Sequence, residues 1–140
     1  KSARQYAPQA KINGVLVQEM ARPGVEMMLG VIRDPVFGPI IVAGLGGIFV
    51  EVLKDVAYRA APVTPVQAHE MLDELRGKKM LEGVRGMAAR DRDAVVDAMV
   101  RLSWFAADFS HEIAEMDINP VLVRPKGLGV AAADALVVLR

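Results

Sequence analysis

Apolar residues fall into short runs along the first half of the chain and mostly into helical spacing along the second, before two further runs close it. GVLVQEM at 14–20 and VEMMLGVIR at 25–33 are separated by ARPG, a pattern that predicts two strands joined by a turn. Asp34-Pro35 opens a second turn, after which GPIIVAGLGGIFVEVL at 38–53 holds two more apolar runs flanking Gly44-Leu45-Gly46-Gly47. VAYRAAP at 56–62 predicts a short strand that ends at Pro62.

The signal then changes. Thr64, Pro65 and Gln67 form a capping box with proline at the first helical position, so a short helix should run through Ala68, Met71, Leu72 and Leu75 and end near Gly77. A glycine-punctuated connection, KKMLEGVRGMAAR at 78–90, leads to a stronger helix from about Asp91 to Phe109. Its apolar stripe is Val95, Ala98, Met99, Leu102, Phe105, Ala106 and Phe109, with Trp104 read as core. Two strands follow, at 113–124 and 129–139, joined by PKGL. Strands, two helices and a closing hairpin predict an α+β fold, a mostly antiparallel sheet with helices packed on it.

The closing hairpin carries candidate chemistry. Side chains alternate across a strand, so Ala114, Met116 and Ile118 share an apolar face bound for the core, while Glu115, Asp117 and Asn119 share the other. A loop of Pro125 to Leu128 pairs Arg124 with Gly129 and, counting back, Asn119 with Asp134; directly opposed Cβ atoms lie ~5 Å apart. Asp117, Asn119 and Asp134 then offer oxygen around one point, a donor set suited to Mg²⁺ or Mn²⁺. Glu115, ~13 Å from Asn119 along the strand, is too far to share the ion. The same alternation also describes the solvated face of an ordinary antiparallel sheet, and a one-residue slip would send Asp134 to the other side.

Gly44-Leu45-Gly46-Gly47 could bring backbone N–H groups to a phosphate, yet it matches neither the dinucleotide fingerprint nor a Walker loop, and taken alone it reads better as a glycine-rich hairpin turn. Glu26 opens a strand of Val, Met and Leu, as a functional acid or as an exposed strand end. His69 and His111 each stand alone and read as solvated and loop residues.

Composition narrows the choice of partner. The chain has 140 residues, 53% of them hydrophobic, enough for one domain with its own core. Lys plus Arg equals Asp plus Glu, 17 against 17, so no overall field draws it to nucleic acid or an anionic membrane, and any phosphate binding must be local. With no cysteine and two histidines, a disulfide framework, a zinc knuckle and a thiol nucleophile are excluded. The uncharged stretch 38–50 is broken by four glycines and a proline and is shorter than the ~20 apolar residues of a spanning helix. The start lacks the apolar core of a signal peptide, and a cytoplasmic location is expected.

GVLVQEM, then PGVEMMLGVIRDPVFGPIIVAGLGGIFVEVLKDVAYRAAP, then IAEMDINPVLV, taken in order, resemble the ATP-grasp domain of NDP-forming acyl-CoA synthetases, relatives of succinyl-CoA synthetase β subunits, over nearly the whole chain. The resemblance favours the metal reading over the solvated one. It implies an acid–thiol ligase that interconverts acyl-CoA, ADP and phosphate with carboxylic acid, CoA and ATP through an acyl phosphate and a phosphohistidine. By position, Asp117 and Asn119 resemble the acid and amide of the acid-x-Asn-Pro signature at the Mg²⁺-nucleotide, and Asp134 the aspartate that completes the metal site. Gln18, Glu19 and Met20 resemble the hinge that contacts adenine through its backbone. Glu26 stands where ribose hydroxyls are held, and Gly46 and Gly47 resemble the glycine loop near phosphoryl transfer.

The cofactors implied are ATP or ADP with Mg²⁺. The resemblance also implies that residues 1–140 are the C-terminal ATP-grasp subdomain of a larger protein, inactive alone. Its partners would be adenine nucleotide and the CoA-binding and N-terminal ATP-grasp domains of the same chain or a partner subunit, an oligomer being compatible with this. Two other readings stand beside it: a regulatory module of a synthetase-like protein fused to an acetyltransferase, and a pure assembly module.

Overall fold

In the computed structural model, which describes residues 3–47, 55–83, 86 and 88–140, the strand-rich half folds around the hairpin of β1 (Val25–Asp34) and β2 (Gly38–Leu45). Their antiparallel register runs from Met27 opposite Leu45 to Asp34 opposite Gly38. Asp34 closes the turn, its carboxylate accepting the N–H groups of Phe37 at 2.9 Å and Val36 at 2.8 Å. β3 (Val56–Ala60) pairs with β2, and a four-residue helix α1 (Ala3–Tyr6) precedes them all.

The capping box is present as read. The Thr64 hydroxyl accepts the Gln67 N–H while Gln67 Oε1 accepts the Thr64 N–H, and α2 (Pro65–Glu74) starts on Pro65. The end of α2 is held by Asp55, a buried carboxylate that accepts the N–H groups of Arg76 at 2.8 Å and Gly77 at 2.9 Å. The connection at 78–90 contains a short helix, α3 (Lys79–Glu82), that the glycine pattern did not suggest.

α4 (Arg92–Asp108) is capped by Asp91, whose side chain accepts the Ala94 N–H at 3.3 Å. Its buried stripe is Val95, Val96, Met99, Leu102, Ser103 and Ala106, rotated slightly from the expected one. Ala98 is half-buried, and Phe105 and Phe109 stay largely open, stacked on each other with centroids 4.8 Å apart. Trp104, expected in the core, is 55% exposed. Helical spacing places it on the polar face with the ion-paired Asp97 and Arg101, at i−7 and i−3. Ser103 enters the core because its hydroxyl has two partners, donating to Val100 O and accepting the Val63 N–H.

β4 (Ile113–Val123) pairs antiparallel with β1 on one side and with β5 (Val130–Ala132) and β6 (Ala135–Leu139) on the other. The sheet order among the described residues is β3-β2-β1-β4-β5, with β6 also on β4. The second strand of the closing hairpin is thus two pieces, interrupted opposite Pro120, which has no N–H to give. One face of the sheet (Met27, Leu29, Val31, Ile41, Leu45) packs on α2 and α4 through residues such as Met71, Leu72 and Met99. The other face is not covered by these helices, and it carries the candidate site.

Two expectations fail or fall outside. Residues 14–20 form no strand: they run as an irregular segment with Val15, Leu16 and Val17 exposed by 90%, 80% and 89%. Alternation supplies a strand's side chains but not its partner, and among the described residues no neighbouring strand offers them a ladder. The second apolar run after the glycines, 48–53, lies outside the described residues. No described helix is long and apolar enough to cross a membrane.

Candidate functional site

The open face is organised in rows across the sheet. Tyr58, Val42, Gly30, Asp117 and Leu136 stand directly opposite one another on β3, β2, β1, β4 and β6. A second row joins Glu26, Leu122 and Ala131, with Gly46 donating its N–H to the Glu26 carbonyl at 2.7 Å. Between the two rows β4 bulges: Met27 faces Val121 but Leu29 faces Ile118, so Asn119 and Pro120 together oppose Met28.

The bulge resolves a conflict within IAEMDINPVLV. Unbroken alternation from Met116 and Ile118 would have turned Val121 and Val123 outward, whereas both are buried. One inserted residue returns them to the core and leaves Asn119 at the irregular point. The hairpin register holds as counted from the loop. Arg124 donates its N–H to Gly129 O at 3.1 Å, and Asn119 donates to Asp134 O at 3.2 Å.

Asp117 is half-buried, and its Oδ1 is buried with no hydrogen-bond partner among the described residues. It lines a shallow cleft of about 250 Å³ with Met28, Gly30, Ile32, Val42, Tyr58, Glu115 and Met116. A buried carboxylate oxygen without a donor is costly unless a cation or proton donor completes it. Asn119 and Asp134 are exposed beside it in sequence and register, and Asp134 Oδ1 accepts the N–H of Ala135 at 2.8 Å. No trio of His, Cys, Asp or Glu gathers among the described residues, so the candidate donors are two carboxylates and one amide. The orphaned oxygen and this all-oxygen set fit a hard divalent cation that keeps other ligands of its own.

Glu26 is exposed at the end of the same face. A Cβ on Gly46 would lie 2.8 Å from the Glu26 Cβ and 3.0 Å from its backbone, so only glycine fits there. Because the Gly46 N–H is already committed to Glu26, the residue contributes room and not a donor. Gly47, at φ +67°, turns the chain away, and a Cβ there would approach Glu26 Oε2 at 3.8 Å. The structure brings Glu26, Gly46 and Gly47 together and, four residues further along β1, brings Gly30 to Asp117. Gln18, Glu19 and Met20 lie exposed in the irregular segment. His69 approaches Asp93 at 3.9 Å and His111 lies exposed in the turn before β4, both away from this face.

Composition and spacing missed the apolar floor of the cleft. Val42 and Tyr58 reach the Asp117 row only through three strand pairings, which alternation within one strand cannot reveal.

The ATP-grasp domain family matches residues 1–139. The chain is 44% identical over 140 residues to the β subunit of acetate–CoA ligase (ADP-forming) II of Pyrococcus furiosus, covering all of this chain and 59% of that subunit. It is 45% identical over 134 residues to 4-hydroxybutyrate–CoA ligase (ADP-forming) of Nitrosopumilus maritimus, 96% of this chain and 19% of that one. Among solved structures, the dinucleotide-forming acetyl-coenzyme A synthetase 1 of Ca. Korarchaeum cryptofilum with coenzyme A and Ca-AMPCP superposes with a TM-score of 0.88 at 44% identity, over 98% of this chain and 58% of that one. The same enzyme with coenzyme A and Mg-AMPPCP gives 0.83 at 45% identity, over 88% and 56%. The chain therefore spans less than two thirds of these relatives.

Proposed function

We propose, from the premise that this chain belongs to the ATP-grasp domain family, that it forms the nucleotide- and Mg²⁺-binding portion of an ADP-forming acyl-CoA synthetase. The whole enzyme would convert acyl-CoA, ADP and phosphate to carboxylic acid, CoA and ATP, with the acyl-, CoA- and phosphohistidine-bearing parts supplied from outside these residues. The observation that carries the reading is the buried, partnerless Oδ1 of Asp117 on the open sheet face. The ADP-forming ligases among its relatives and the nucleotide analogues with Ca or Mg in its structural neighbours support it.

Phosphoryl transfer asks a protein mainly to position phosphates and to neutralise charge. Asp117 would turn its free oxygen toward the metal, with the Asn119 amide oxygen and a carboxylate oxygen of Asp134 beside it. Held by these oxygens, the cation would supply positive charge to offset that of the phosphates. Glu26 would accept the ribose hydroxyls, held in place by the close backbone of Gly46. Gly47 would leave the approach to the phosphates clear of any side chain. Gln18, Glu19 and Met20 would lend backbone groups to the adenine edge, which their exposure leaves open to a ligand.

The test uses the longer polypeptide that contains this domain. Asp117→Asn and Asp134→Asn each remove a charge at nearly constant volume, so each should weaken Mg·ADP binding by about tenfold or more with the circular dichroism unchanged. Calorimetric titrations indistinguishable from wild type in both variants would end the metal assignment.

A further inference from the structure

Past the Glu26 row, the alternation that buries Val121 and Val123 carries Leu122 and then Arg124 to the open side of the sheet. Arg124 is pinned at both ends of its backbone, its N–H donating to Gly129 O at 3.1 Å and its C=O accepting the Asp91 N–H at 2.9 Å. Its Nε is nevertheless buried, with no hydrogen-bond partner among the described residues. The side chain lines a cleft of about 180 Å³ with Arg22, Glu19, Ala21 and Ala131, between the irregular segment and the sheet. Neither arginine makes an ion pair among the described residues.

Guanidinium stays protonated at any ordinary pH, so two arginines against one carboxylate leave the cleft with a net positive charge. Its volume is below the ~300 Å³ at which pockets begin to hold a whole ligand, so it suits a small group. Two alanines as walls add no competing polar atom. A planar fork of donors matches the oxygens of a carboxylate or a phosphate, and Glu19 decides between them. A carboxylate ligand would meet Glu19 with no hydrogen to give, whereas a phosphate that keeps one P–OH can donate it there.

We propose that this cleft is a small-anion site that binds a phosphate group, with Arg22 and Arg124 donating to its oxygens and Glu19 accepting its remaining hydroxyl. The site uses none of the residues of the Asp117 cluster, and Arg124 lies two residues, about 7 Å along the strand, beyond the Glu26 row. Its occupant is free inorganic phosphate, because a nucleotide with its ribose at Glu26 and its metal at Asp117 carries its phosphates to the opposite end of the face.

The longer polypeptide, its Arg124→Gln form and its Arg22→Gln form would be titrated with inorganic phosphate by calorimetry and ³¹P NMR, with and without saturating Mg·ADP. Arg22 lies outside the sheet, so its variant should fold even if Arg124→Gln does not. Phosphate affinity should fall by about tenfold or more in each variant, as loss of a charged hydrogen bond implies. Phosphate that still binds beside saturating nucleotide identifies the free ion as the occupant. Phosphate displaced by saturating Mg·ADP would overturn the proposal, by showing that the ion had occupied the nucleotide's own phosphate position. Phosphate and nucleotide affinities equal to wild type in both variants would overturn the proposal. That result would leave the Asp117 and Asp134 titrations to decide the metal reading on their own.

Discussion

At the scale of single residues, the glycines beside Glu26 do different work from the one their motif suggests. Gly46 lies so close to Glu26 that a methyl group would have to push β1 and β2 apart, 2.8 Å from a Cβ and 3.0 Å from backbone atoms that cannot swing aside. Gly46→Ala should therefore cost about 1–3 kcal/mol of stability, as overpacking does, and weaken nucleotide binding by displacing Glu26. Gly47→Ala makes only an ordinary contact, 3.8 Å from Glu26 Oε2, but adopts a φ of +67°, so it should cost only about 1–2 kcal/mol and leave Glu26 where it is. Urea unfolding of the two variants beside a Mg·ADP titration separates these outcomes. Equal nucleotide affinity for Gly46→Ala and wild type would refute the supporting role assigned to Gly46.

At the scale of elements, Asp91 joins a helix to a hairpin. Its carboxylate caps α4 at Ala94 and also accepts the Gly129 N–H at 2.8 Å, locking the β4–β5 turn against the helix start. These bonds, the one from Gly129 foremost, hold its pKa below the usual carboxylate range against the opposing effect of burial. A depressed folded-state pKa stabilises the fold above the unfolded value of about 3.9, and that contribution disappears as pH falls through the lower folded value. Asp91→Asn should lower the Tm at pH 7, and the gap to wild type should close as the pH drops below about 4. A gap independent of pH would mean that the charge of Asp91 contributes nothing.

Elements whose signal is local were legible in the sequence. The Thr64–Gln67 box, the start of α4 at about Asp91 and the β4–β6 register each follow from a few adjacent residues or a loop count. The break of the last strand, the bulge at Asn119-Pro120 and the outward turn of Trp104 depend on what lies across the sheet or around the helix. GVLVQEM has the composition of a strand, but whether a strand forms depends on a neighbour that its own residues do not specify. The candidate site divides in the same way. Asp117, Asn119 and Asp134 were readable from alternation and counting, while the apolar floor under Asp117 and the pairing of Arg22 with Arg124 arise only when distant segments meet.

At the scale of the whole molecule, two apolar regions among the described residues are left without cover, besides the open aromatic side chains of α4. One is β6, an edge strand whose Leu136, Val137, Val138 and Leu139 are all exposed and which carries no charge or proline to discourage pairing. The other is the segment holding Val15, Leu16, Val17 and Met20, exposed by 80–90% beside the cleft of Glu19 and Arg22. Monomeric domains seldom leave so much apolar surface to water, and the relatives are longer than this chain. The segment at 14–20 thus has the residues of a strand, lacks its ladder here, and adjoins the proposed nucleotide contacts. In the isolated 140-residue chain its amides, not paired in any described ladder, should exchange within seconds, while those of β1 and β4 are protected. In the longer polypeptide the same amides should slow by orders of magnitude once a neighbouring strand accepts them, and slow again with Mg·ADP if the hinge reading of Gln18 to Met20 holds. Hydrogen-exchange mass spectrometry on both forms measures each step. Fast exchange at 14–20 in the longer polypeptide, with and without nucleotide, would show that this segment is a linker and that its hydrophobic residues serve some other contact.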